Sequence, residues 1–133
     1  MKIRPAIVAL VIGSVAVVPT ALAEESLDGK AVGEATVKDG KATIVIKGAS
    51  DGIYVNKDYP IKCSVKSKGN GKLDKHALKK EDAKYEDVAG KAGKARSVTL
   101  GVGATGAIEG SCKVVVCTDN ACSSPFAVDF ASK

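Results

Sequence analysis

The sequence predicts an all-β domain of antiparallel strands packed as two sheets, and three observations predict it. Apolar residues recur at alternate positions, or run unbroken, over short stretches throughout the chain after residue 23. Those stretches are separated by Gly, Asn and Asp, the residues that tight turns require. The segment closest to a helix, Asp74 to Asp87, places Ala77, Leu78, Ala83 and Tyr85 without a 3.6-residue period, so it reads as loop or one helical turn capped by Asp74.

The elements follow in chain order. Lys2 and Arg4 form a positive n-region, Ala6 to Val18 an uncharged apolar run, and Ala21-Leu22-Ala23 a small-residue cleavage site. Residues 1–23 are therefore expected to be a signal peptide, and its apolar run is shorter than the roughly 20 residues of a spanning helix. No Cys follows the small residues, so no lipid anchor is indicated, and the mature chain is expected in the periplasm or outside the cell, starting at Glu24. Residues 24–40 read as an N-terminal segment and 41–133 as the domain. Its expected strands are Ala42 to Lys47, Gly52 to Val55, Pro60 to Lys66, Ser97 to Val102, Ile108 to Cys117 and Phe126 to Ala131. Asp39-Gly40 reads as a hairpin turn, Lys68-Gly69-Asn70-Gly71 as a loop with positive-φ residues, and Gly101 to Gly106 as a glycine hairpin connection needing positive φ. Six short strands in a chain of this size point to a sandwich of immunoglobulin-like kind, although an antibody-type core would hold a Trp and this chain has none.

Composition narrows the function classes. A chain of 133 residues is one domain at most, and 45% hydrophobic content is too high for a disordered one. Losing Lys2 and Arg4 with the leader lowers the formal net charge from +5 to +3. The positive charge is concentrated, because Lys62 to Arg96 holds eleven basic residues against Asp74, Glu81, Asp82, Glu86 and Asp87. Lys outnumbers Arg there and Tyr85 is the one aromatic, which reads as a solvated face and excludes nucleic-acid binding by stacking.

The four cysteines carry the most chemistry, since export places them in an oxidising compartment. Three connectivities are open. In the strand Ile61 to Val65, residues Ile61, Cys63 and Val65 share one face, and in the later strand Cys112, Val114 and Val116 share another, so Cys63 and Cys112 both point at the core. Cys63 is expected to pair with Cys112 as a structural pin between strands, and Cys117 with Cys122 across the loop Thr118-Asp119-Asn120-Ala121. In the chain-entropy description the long bridge stabilises by roughly 4 kcal/mol and the short one by roughly 2. The short one lies in a loop of small polar residues where a partner thiolate can approach it.

Other patterns carry no site. Gly101-Val102-Gly103-Ala104-Thr105-Gly106 fits G-x-G-x-x-G by letter, but a strand follows where a dinucleotide site needs a helix. His76 is the single histidine, too few for a zinc site with Cys117 and Cys122 or for a hydrolytic triad. No cofactor and no metal are implied. Glu81-Asp82 and Glu86-Asp87 alternate with lysines as compensated surface charge.

Two stretches taken together resemble a known family. Asp51-Gly52-Ile53-Tyr54-Val55-Asn56-Lys57-Asp58-Tyr59-Pro60, followed by Glu109 to Cys122 with its Cys-Thr-Asp-Asn-Ala-Cys loop, is similar to the periplasmic N-terminal domain of the DsbD-type thiol:disulfide interchange proteins, over about Lys41 to Phe130. The resemblance implies an immunoglobulin-like sandwich, with Cys117 and Cys122 as a redox pair at the end of a late strand and the Tyr54 region on the strand beside it. It also implies periplasmic thiol-disulfide oxidoreductases as partners. Two functions are thus expected. The first is a non-enzymatic binding or structural module of the cell envelope on that scaffold, with another envelope protein as partner, no nucleic acid and no membrane insertion once the leader is removed. The alternative is a soluble thiol:disulfide exchange domain using Cys117 and Cys122. The retained Cys pair favours exchange; the scarcity of Phe and the lack of a charged or histidine neighbour to lower a thiol pKa favour the module.

Overall fold

Asp39-Gly40 sets the first hairpin. Asp39 takes φ 54° and Gly40 φ 79°, the paired positive values of a type I′ turn, whose twist matches that of the strands it joins. In the computed structural model, which describes residues 26–133, this turn links β1 (Ala31–Lys38) to β2 (Lys41–Gly48), paired from Ala31↔Gly48 to Lys38↔Lys41. The leader expected over residues 1–23 lies outside the described residues. Residues 31–38, expected within an N-terminal segment, are the full-length partner of β2, so the sheet begins at Ala31 and not at residue 41.

The chain continues through β3 (Tyr54–Asn56), β4 (Lys62–Ser67), β5 (Ala77–Leu78), a 3₁₀ turn at Lys80–Asp82, β6 (Ala83–Asp87), β7 (Lys94–Gly103), β8 (Ile108–Val114), β9 (Val116–Cys117) and β10 (Phe126–Ala131). All pairings are antiparallel. One sheet runs β1-β2-β7-β3-β9, and the other runs β10-β8-β4-β5. β3 and β6 both pair with Ala95 of β7, so they lie on its opposite edges. The domain is all-β, and each expected strand has a counterpart, one of them divided between the two sheets.

Alternation supplies the core. Ala42, Ile44 and Ile46 of β2 and Val98, Leu100 and Val102 of β7 turn inward from the first sheet; Cys63 and Val65 of β4, Cys112 and Val114 of β8, and Val128 and Phe130 of β10 turn inward from the second. These residues form one cluster shared by both sheets. Burying each large aliphatic side chain stabilises by about 1.5–3 kcal/mol, and with so few aromatics these residues do most of the filling. β1 faces the core with Ala31, Gly33, Ala35 and Val37 because it runs against β10. A Cβ on Gly33 would stand 2.8 Å from the Asp129 carbonyl oxygen, so only glycine permits that approach.

Three expectations change. The run Ile108 to Cys117 is two strands, because the chain leaves the second sheet after Val114 and joins the first at Val116, opposite Val55. Val114, Val115, Val116 and Cys117 are accordingly all buried, which breaks the alternation of a single strand. The glycines of Lys68 to Gly71 and of Gly101 to Gly106 do not adopt positive φ. Gly101 and Gly103 are residues of β7, and the Asp74 carboxylate lies over Gly103 where a side chain would stand. Lastly, Asp74 to Asp87 contains β5 and all of β6 besides its single turn; both are short edge strands, too brief to impose a period on the sequence.

Candidate functional site

The structure has the bridges Cys63–Cys112 and Cys117–Cys122. Each joins residues directly opposite in an antiparallel pair: Cys63↔Cys112 within the β4–β8 ladder and Cys117↔Cys122 as an isolated bridge beyond β9. In both, the Cα atoms are 3.9 Å apart, the close spacing of a non-hydrogen-bonded pair. The first bridge therefore links neighbours within one sheet.

Their surroundings differ. Cys63 and Cys112 are 5% and 0% exposed and belong to the core cluster. Cys117 is 2% exposed yet lies outside that cluster. Val116 stands opposite the core residue Val55, so Cys117, one residue on, shares the opposite face with Tyr54, its partner on β3. Cys122 is exposed. The bridge thus joins one exposed and one buried half-cystine.

The intervening loop is held by its own backbone. Thr118 N–H donates to Ala121 O at 2.8 Å, Ser123 N–H donates to Val116 O at 2.7 Å, and Thr118 Oγ1 accepts from the N–H groups of Asn120 and Ala121 at 3.3 and 3.2 Å. Ser123 Oγ accepts from Val116 N–H at 3.0 Å. Val116–Cys117 and Cys122–Ser123 are thereby the arms of a tight hairpin. A shallow groove of about 410 Å³ runs beside Cys122, between Leu27, Asp28 and Ser124, and Ser124 N–H donates to Asp28 Oδ1 at 3.0 Å across it.

A charged strap crosses from the neighbouring turn. Lys91 Nζ lies 2.5 Å from Asp119 Oδ1 and 5.7 Å from the centre of the Tyr54 ring, within cation–π range. The hydrogen bond from Lys91 holds the Asp119 carboxyl below the usual carboxylate range, and the same bond raises the Lys91 ammonium above the usual lysine value. Lys91 thus ties its turn to the loop between Cys117 and Cys122, a contact the sequence did not reveal. Its one signal is the stretch Ala89-Gly90-Lys91-Ala92-Gly93-Lys94, where Gly90 and Gly93 have φ of 77° and 75° and fold the turn toward the hairpin. Lys113, nearer in sequence, pairs with Lys62 on the other sheet.

The lysine-rich segment is dispersed over several surfaces. Lys57 pairs with Asp87, Lys66 with Glu109, Lys75 with Asp82 and Arg96 with Glu86. His76 sits at the β5 edge, its Nδ1 3.3 Å from Val65 O. Among the described residues no three His, Cys, Asp or Glu side chains gather as a metal site would need. No protein-family model, curated protein or solved structure matches the chain.

Proposed function

We propose that this protein is an exported, disulfide-stabilised module of the cell envelope, an immunoglobulin-like sandwich that binds or braces another component rather than catalysing a reaction. The observation that carries this reading is that both bridges are rungs between directly opposed antiparallel residues, with three of the four half-cystines buried. Such bridges suit an oxidising compartment, and a small domain with few aromatics gains stability from them. The sequence of residues 1–23 supports export by a cleaved leader. Two antiparallel sheets sharing one core, with a chain that changes sheets at Val115, support the sandwich. Its core bridge differs from the antibody pattern by staying within one sheet.

A second reading follows from the exposure of Cys122. On a scaffold like the N-terminal domain of DsbD-type interchange proteins, a partner's thiolate attacks Cys122 Sγ, the Cys117–Cys122 bond breaks, and Cys117 leaves as a thiolate. The partner's second thiol then attacks its own sulfur in the mixed disulfide and releases Cys122. The partner is oxidised to a disulfide and this domain is reduced to a dithiol.

The reduction potential of Cys117–Cys122, read by alkylation and mass spectrometry in graded thiol buffers, separates the two. A potential below about −300 mV is expected for the module. One near −200 mV or higher would replace it with the exchange reading.

A further inference from the structure

The outer face of the second sheet carries a charge pattern that the fold does not require. β4 and β8 set Lys62 opposite Lys113, then Ser64 opposite Ser111, then Lys66 opposite Glu109. β5 is registered on β4 through Cys63↔Leu78 and Ser64↔Ala77, and the next residue, Lys79, continues extended with φ −131°, beside Lys62. Lys79, Lys62 and Lys113 thus form a row across three chain segments, with backbones about 4.8 Å apart. Like charges directly opposite one another destabilise a sheet. Next to the row, Lys66 is paired with Glu109 and Lys75 with Asp82. The three lysines of this row are exposed and take part in none of the described ion pairs.

Beside the row lies a trough of about 710 Å³ whose lining includes Ser64, Ser111, Glu109 and Asp129. Asp129 is the cross-strand partner of Ser111 and makes no described ion pair. One half of this face therefore offers ammonium groups outside the described ion pairs, with Asp82 beside Lys79, and the other offers hydroxyls and carboxylate acceptors, of which Glu109 is paired with Lys66.

We propose that this face binds a linear acidic polysaccharide. The row Lys79–Lys62–Lys113 takes its carboxylates, and Ser64, Ser111, Glu109 and Asp129 hydrogen-bond its hydroxyls. The proposal rests on the reading of the protein as a binding module and names its partner. An acidic peptide fits less well, because it lacks the run of hydroxyls that Ser64, Ser111, Glu109 and Asp129 can hydrogen-bond. A bilayer fits less well too, because the face presents Ala127 and Ala131 rather than large apolar groups; the one exposed large hydrophobic among the described residues, Val32, lies on β1 of the other sheet.

The test titrates the mature protein with a fluorescent uronic-acid hexasaccharide at low and physiological salt, against neutral dextran, polyglutamate and phosphatidylglycerol vesicles. Saturable binding of the hexasaccharide that weakens with salt is expected. Lys62→Ser combined with Lys113→Ser should lower the affinity by about ten-fold or more, one step of 1.4 kcal/mol. Lys84→Ser, an exposed lysine of β6 outside the described ion pairs, should leave it unchanged. The double variant is expected to melt no lower than the parent, since it removes a repulsion; if it does not fold, Lys79→Ser, outside the strands, carries the comparison. Binding no tighter than that of dextran, unchanged binding in these variants, or preference for polyglutamate or vesicles overturns the proposal. That failure beside a reduction-resistant Cys117–Cys122 bridge would leave the module reading standing, whereas a labile bridge would remove the module reading itself.

Discussion

The two disulfides are the same local object in two settings. Both tie directly opposed antiparallel residues with Cα atoms 3.9 Å apart. Cys63–Cys112 joins positions separated by 49 residues and stands inside the core; Cys117–Cys122 joins positions separated by 5 and lies on the outward face of its sheet with Cys122 exposed. Sequence separation decides how much each restricts the unfolded chain, and burial decides which reagents reach it. Bridges alike in pairing geometry therefore divide into one enclosed by the core and one with an exposed half-cystine at the surface.

Stability gives the largest contrast. Replacing Cys63 and Cys112 with Ala removes about 4 kcal/mol of chain restriction, against about 2 for Cys117 and Cys122. The first pair also leaves a void in the core, which adds to its cost. Urea unfolding of the two double variants should show the larger loss for the core pair, and equal losses would break the division of roles.

Accessibility gives the next contrast. Under limiting thiol reductant at neutral pH, alkylation should reach Cys117 and Cys122 about ten-fold faster than Cys63 and Cys112, and the first mixed disulfide should form on Cys122. A mixed disulfide on Cys117, or simultaneous reduction of both bridges, would show that the hairpin opens before the bond is attacked.

These differences were partly legible in the sequence. Period-two alternation places Cys63 and Cys112 on inward faces, and spacing sets Cys117 against Cys122 across a short loop. Six strands were legible because each carries two or more branched or aromatic residues or ends at a strong turn signal. β1 was not, although Asp39-Gly40 announces a hairpin that needs a strand before it. Its inward residues are Ala31, Gly33, Ala35 and Val37, kept small by the approach of β10, so the hydrophobic signal that marks a strand was removed by the packing that makes this one necessary. The change of sheet at Val115 shows only as a loss of alternation in four successive apolar residues. The row Lys79–Lys62–Lys113 was invisible because strand register, not sequence distance, brings Lys113 beside Lys62. The same is true of Lys91, which reaches Asp119 from a turn 28 residues earlier.

The smallest expected effect tests whether Lys91 acts on the short bridge by its charge or only by tying the turn to the hairpin. Attack at Cys122 makes Cys117 the leaving thiolate, and the Lys91 ammonium lies over Tyr54, the cross-strand partner of Cys117. A nearby ammonium stabilises a thiolate. In Asp119→Asn, Lys91 is no longer compensated, so reduction by a small thiol should be faster; in Lys91→Met it should be slower, each within about five-fold for so exposed a pair. A simple strap would move both variants in the same direction, and that outcome would remove the charge role. The pH dependence has a fixed sign. Because Lys91 holds the Asp119 carboxyl low, the ion pair is intact above the usual carboxylate range and is lost as pH falls through the lowered value. The parent and Asp119→Asn should therefore differ near neutrality and converge in acid, where a protonated Asp119 no longer compensates Lys91. A phosphine reductant, which still cleaves disulfides in acid where thiols are inert, would follow the convergence when the parent and the variant are compared at each pH.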